Sequence, residues 1–137
     1  MTAKDAAKTP VAPAEVKVGT VLVSLLDPDR GQEVAFNRWY ERDHFYSGCM
    51  VGPNFFSGRR YVATRAQKDA RLTAQGSMLP DVRAGTYLAL YWILGGHHDE
   101  TQAWATERVK ALHAHDRMFS MRKPVHAGAG RRGARPL

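Results

Sequence analysis

The hydrophobic positions of this 137-residue chain change period several times, and each change marks an element. Lys17 to Leu26 is a run of β-branched and leucine residues of strand length, ended by the turn formers Asp27, Pro28 and Asp29. From Gln32 the period becomes helical. Phe36, Trp39, Tyr40, Asp43 and His44 fall on one arc, with Arg38, Glu41 and Arg42 largely outside it, which predicts a helix over Gln32 to Tyr46. Gly48, Gly52 and Pro53 then supply a helix end and a turn. Phe55 to Thr64 is a second predicted strand. Strict alternation puts Phe55, Ser57, Arg59 and Tyr61 on one face and Phe56, Gly58, Arg60 and Val62 on the other. Neither face is cleanly apolar, so its register is only moderately specified.

Arg65 to Arg83 is ambiguous: a short helix through Gln67 to Gln75, then a loop marked by Gly76, Pro80 and Gly85. Thr86 to Leu94 is the clearest strand, apolar on both faces. One face packs beneath the helices and the other requires a second cover. Thr101 to Arg117 is a helix with Trp104, Ala105, Arg108, Ala111, Leu112 and His115 on one stripe. Met118 to Val125 is a final short strand in which Pro124 limits any central position. The order strand, helix, strand, strand, helix, strand is an α+β, split βαβ layout, with two helices on one face of a four-stranded antiparallel sheet. Aliphatic and aromatic residues on the other face make two-fold dimerisation through the sheet the economical way to cover it.

Composition narrows the function classes. A chain of this length with 44% hydrophobic residues forms one domain, here 17–125, between a flexible lead-in over 1–16 and a basic flexible tail over 126–137. The longest dense apolar stretch is too short to span a membrane, and the first residues lack the apolar run of a secretory signal. The single cysteine, Cys49, excludes an intramolecular disulfide framework and suits a reducing, cytoplasmic compartment. The net charge of +7 invites a nucleic-acid reading. Most of that charge sits in Arg122, Lys123, Arg131, Arg132 and Arg135, with no acidic residue after Asp116, while the rest of the chain is nearly balanced. No specific nucleic-acid binding is expected, and the tail reads as a solubilising end.

Several side chains carry candidate chemistry. His44 has the ordinary pKa range for proton transfer near neutrality, and it lies one α-helical turn beyond Tyr40, on the same side of the helix. The alternative is a histidine that caps the last turn. Tyr40 and Tyr61 offer hydroxyls to a phenol or carbonyl. Trp39, Phe55 and Phe56 offer an aromatic wall, with plain packing as the competing role. Arg59 and Arg60 point to opposite faces, so one of them at most reaches a ligand oxygen, with Arg60 the candidate; an edge salt bridge is the alternative. Arg108 lies on the apolar stripe with Trp104, either as a polar component of a pocket or snorkelling around the indole. His97, His98 and Asp99 lack the spacing of a recognised metal site, and Cys49 lacks a nucleophile signature, so no metal and no cofactor are expected.

The stretches VLVSLLDP, FNRWYERDHF, FFSGRRYVAT and YLALYWI, followed by the second helix, resemble the dimeric α/β-barrel superfamily, in particular its stress-responsive barrel and EthD-like branches. Phe36, Trp39, Tyr40, His44, Arg60 and Tyr61 match the family's aromatic-histidine helix and its Arg- and Tyr-bearing strand. The resemblance covers Val18 to Phe119. It implies a ferredoxin-like domain whose homodimer closes a barrel, with a pocket for a small hydrophobic, aromatic or polyketide-like molecule in each subunit. Relatives include cyclases, isomerases, decarboxylases (lyases) and cofactor-independent oxygenases. It therefore implies histidine-assisted acid–base conversion, with His44, Tyr40 and Tyr61 catalytic and Trp39, Phe55, Phe56, Arg60, Trp104 and Arg108 binding the ligand. A non-catalytic ligand-binding or sensory dimer is the alternative.

Overall fold

The computed structural model describes residues 15–72, 75, 79 and 81–131, the side chains of 128–131 excepted. Most of the expected lead-in, the middle of the 73–80 loop and the last residues of the basic tail lie outside these. Four strands, β1 (Val18–Pro28), β2 (Phe55–Val62), β3 (Tyr87–Leu94) and β4 (Arg122–Arg131), form one antiparallel sheet in the order β2-β3-β1-β4. Between β1 and β2 runs a helix in two parts, α1 (Glu33–Trp39) and a π-helix (Tyr40–Met50). A short α2 (Arg65–Asp69) follows β2, and α3 (His98–Ala114) connects β3 to β4. This is the ferredoxin-like arrangement that the element order implied.

Side-chain direction follows the register, because directly opposed residues of an antiparallel pair share a face. Ala89, Tyr91 and Ile93 point inward and are buried, opposite Ser24, Leu22 and Thr20 on β1. Phe36, Tyr40 and Phe45 of the first helix and Trp104 of α3 close the same layer, with ring contacts to Tyr87, Tyr91 and Phe55. Phe36 is fully buried at its centre, a burial contributing about 2–3 kcal/mol. Val21, Val23, Leu88, Leu90 and Trp92 face the opposite side, away from the first helix and α3, which pack on the inner face.

Three sequence expectations need adjustment. In β2, Phe55 opposes Ile93 but Ser57 opposes Trp92, so the strand carries a bulge at Phe56. The extra residue moves Phe55 onto the inner face with Gly58 and Arg60, away from Arg59 and Tyr61, where unbroken alternation had put it. The helix expected over Gln67 to Gln75 is α2 instead. It begins earlier because Thr64 and Gln67 form a reciprocal capping box, with Gln67 Oε1 accepting from the Thr64 amide at 2.8 Å. The last strand starts at Arg122 and continues to Arg131, so 126–131 pair with β1 rather than leaving the fold. Pro124 fits because β4 is an edge strand and the register shifts beside it, between Leu25 and Leu26.

The carboxylate of Asp27, at the end of β1, fastens the loop leading into β3. It accepts from the Gly85 and Thr86 amides, both at 2.7 Å, and from the Thr86 hydroxyl at 2.6 Å. Burial opposes ionisation there, but these donors and the charge of Lys68 prevail and hold the carboxyl below its ordinary range.

Candidate functional site

The helix that carries the candidate histidine changes pitch at the residue that matters most. From Tyr40 the backbone pairs with the fifth residue back; the Val51 amide, for instance, donates to the Tyr46 carbonyl at 3.1 Å. Such wide turns are rare and frequently mark functional segments. They place residues five apart one above the other. The His44 ring therefore stacks on Trp39, centroids 4.4 Å apart and planes at 17°, and meets Tyr40 edge-on at 5.3 Å.

Trp39 is fixed in turn. Its indole Nε1–H donates to the Arg117 carbonyl at 2.8 Å, Phe119 stacks against it at 5.6 Å, and the Arg122 guanidinium lies 5.1 Å from its ring centre. Arg117 also binds the Asp43 carboxylate, its Nε at 3.1 Å, which ties the π-helix to the segment after α3. Gly48 completes the nest: a Cβ there would stand 2.8 Å from His44 Cε1 and 2.9 Å from Nδ1.

His44 Nδ1 is shut away from solvent and has no hydrogen-bond partner. Burial, then the positive charge of Arg122, push the imidazole down to about 4 against a smaller opposing pull from Asp43, so the ring is neutral at physiological pH. A buried polar atom with no partner is uncommon enough to call for an explanation.

Of the other residues singled out by sequence, Tyr40 stays at the edge of the His44 ring and most of the rest lie elsewhere in the fold. Tyr40 is buried and its hydroxyl bonds that of Tyr91 at 2.9 Å; burial raises its pKa. The Arg60 guanidinium sits 4.2 Å from the Tyr40 ring centre and bonds Glu41 at 2.8 Å and Asn37 at 2.9 Å, so its donors are directed into the fold. Tyr61 and Phe56 are exposed; Tyr61 opposes Leu88 on the helix-free side of the sheet, away from His44. Phe55 and Trp104 meet edge-on at the far end of the core. Arg108 Nε donates to the Ser47 carbonyl at 2.6 Å and secures the end of the π-helix. Cys49 lies beside the Tyr91 hydroxyl, and burial pushes its thiol up to about 12, which leaves it unreactive. His98 Nδ1 lies 3.2 Å from the Thr20 hydroxyl, and His97 contacts Glu100. No group of three potential metal ligands occurs among the described residues.

The structure thus brings His44 and Trp39 together and adds Phe119 and Arg122, which sequence reasoning did not select. Arg122 had been read only as one of the basic charges towards the C-terminus, within the last expected strand. The available signal was its position opposite Pro28 at the start of an inward-facing strand register, which appears only once β1 and β4 are paired.

The fold and site define an α+β ferredoxin-like domain with a histidine held against an aromatic cluster. Among solved structures, the chain is similar to HapK from Hahella chejuensis, at 15% identity over 86% of this chain and 96% of that one, with a TM-score of 0.49. No family model matches the chain, and neither does any curated protein. Among the described residues, no helix is long and apolar enough to cross a membrane.

Proposed function

We propose that this protein binds and converts a small, largely apolar aromatic or polyketide-like molecule, with His44 accepting or relaying a proton. The observation that carries the reading is the neutral, partnerless Nδ1 of His44, held flat on Trp39 beside a guanidinium. A neutral imidazole accepts a proton, and Arg122 is the cation placed to offset charge developing on an enol or phenol oxygen. Tyr40, Tyr91 and Arg60 then form the structural backing of the helix.

Deuterium exchange into β-tetralone, an enolisable bicyclic ketone, tests the step without knowledge of the natural substrate. The protein should accelerate exchange at the carbon beside the carbonyl, and His44→Asn should abolish the acceleration while leaving ketone binding intact. Undiminished exchange in the variant would sink the role given to His44. One observation favours a second reading, a non-catalytic ligand-binding dimer: an imidazolium titrating at about 4 leaves a weak base. Binding of the ketone with no exchange in the unaltered protein would select that reading.

In either case we propose that two copies join through the helix-free side of the sheet into a barrel, as in the superfamily the sequence resembles. The apolar row of Val21, Val23, Leu90 and Trp92 supports this, because a second copy supplies the cover that the helices give the other face.

A further inference from the structure

Between the C-terminal half of α3 and the segment leading into β4 lies a cleft of about 390 Å3, within the size range of small-molecule sites. Val109, Met118 and Phe119 give it apolar walls, and Lys110, His113 and Arg122 give it polar edges; no carboxylate lines it. The three cationic or basic groups are not equivalent. Lys110 is exposed and already bonded to Glu107 at 2.7 Å. His113 is exposed on α3. Arg122 is half-buried, rests over Trp39, and has no carboxylate partner among the described residues. Two other partly buried arginines on this side of the sheet have acceptors, Arg60 in Glu41 and Asn37 and Arg108 in the Ser47 carbonyl, and the exposed Arg117 has Asp43. Removing a guanidinium from water without a counter-charge is unfavourable, and burial accordingly lowers the pKa of this one.

We infer that this cleft is a binding site for a small aromatic carboxylate, with the carboxylate on the Arg122 guanidinium and the ring against Phe119 and Met118. The planar fork of an arginine matches a carboxylate with two parallel donors, and an apolar wall a few ångströms away selects for a ligand with a hydrophobic body. The charge selects anions over neutral molecules of the same shape, and the cleft size selects small ligands. This goes beyond the His44 reading and does not depend on it, because an anion can occupy Arg122 whether or not His44 moves a proton.

The probes are 2-naphthoate and its neutral isostere 2-naphthamide, with calorimetry for affinity and the Trp39 indole N–H resonance for location, assigned with Trp39→Phe. Naphthoate should bind at least about tenfold more tightly than the amide and shift the Trp39 signal. Arg122→Gln should remove the difference, Arg122→Lys should retain part of it, and Arg59→Gln, an exposed arginine on the opposite side of the sheet, should leave it unchanged. Circular dichroism of each variant confirms folding. Equal affinity for the two probes, no binding of either, or an equal loss in the Arg122→Gln and Arg59→Gln proteins would overturn the proposal. His44→Asn separates the two readings: it should abolish ketone exchange and leave the preference for naphthoate in place.

Discussion

The imidazole of His44 lies flat on the indole of Trp39, five residues earlier in the same helix. In an α-helix, residues five apart diverge by about 140° and such a pair does not meet. The contact exists because the backbone widens into a π-helix at Tyr40. α-Helical spacing selects Tyr40 as the neighbour of His44; the actual geometry makes Trp39 the stacking partner and leaves Tyr40 at the ring's edge.

Gly48 makes that stack possible, so Gly48→Ala should disturb it. The added methyl would sit under 3 Å from the imidazole, which is already backed by Trp39. Overpacking of this kind costs about 1–3 kcal/mol. Urea unfolding should report a loss in that range, and the His44 ring resonances should move away from the positions imposed by the indole. Unaltered resonances would show that the pocket around the ring is looser than described.

Stability should fall in mildly acidic solution because of His44. Its folded pKa of about 4 lies below the ordinary 6.5, so the unfolded chain takes up a proton over that interval and the native state does not. The contribution is therefore present above about pH 6.5 and is lost progressively towards about pH 4, a change on the order of 3 kcal/mol. Urea midpoints across that interval should fall more steeply for the unaltered protein than for His44→Asn. Parallel curves would contradict a buried neutral imidazole.

Tyr40→Phe separates a structural tyrosine from a catalytic one. It strips the Tyr91 hydroxyl of its buried partner at 2.9 Å and should cost about 1–2 kcal/mol. Because Tyr40 and Tyr91 form one pair, the double variant Tyr40→Phe with Tyr91→Phe should lose less than the sum of the two single variants. Ketone exchange per folded molecule should be unchanged; a large drop would return Tyr40 to the reacting group.

Asp27→Ala removes the acceptor of three hydrogen bonds that join β1 to the loop before β3. A loss of about 3 kcal/mol in chemical denaturation is expected. The folded carboxyl titrates below its ordinary value. Its contribution is thus present above the unfolded pKa and is lost as pH falls through the folded one, outside the interval in which His44 acts.

Leu90→Glu puts a charge in the middle of the helix-free face without touching the inner core. Light scattering of the unaltered protein should give the mass of a dimer, and of the variant the mass of a monomer. A monomer before the substitution would dispose of the sheet-to-sheet arrangement.

The sequence by itself determined the order of the elements and their faces wherever the pattern was unbroken. Hydrophobic periodicity is local, so β3 with its two apolar faces, the first helix with Phe36 and Trp39, and α3 were legible from neighbouring residues. So was the prominence of His44, the one titratable residue with an ordinary pKa near neutrality on the aromatic arc. What only the tertiary structure decided depended on contacts between distant segments or on departures from ideal pitch. The bulge at Phe56 turned Phe55 inward because pairing with β3 fixed it there. The π-turn exchanged Tyr40 for Trp39 as the partner of His44, and no spacing rule written for α-helices contains that exchange. Arg122 reached the site from nearly eighty residues downstream of His44, since the pairing of β4 with β1 lays the start of the last strand beside the first helix. A side chain's neighbours along the chain could not reveal that a residue counted among the C-terminal basic charges is a half-buried cation with no carboxylate partner among the described residues.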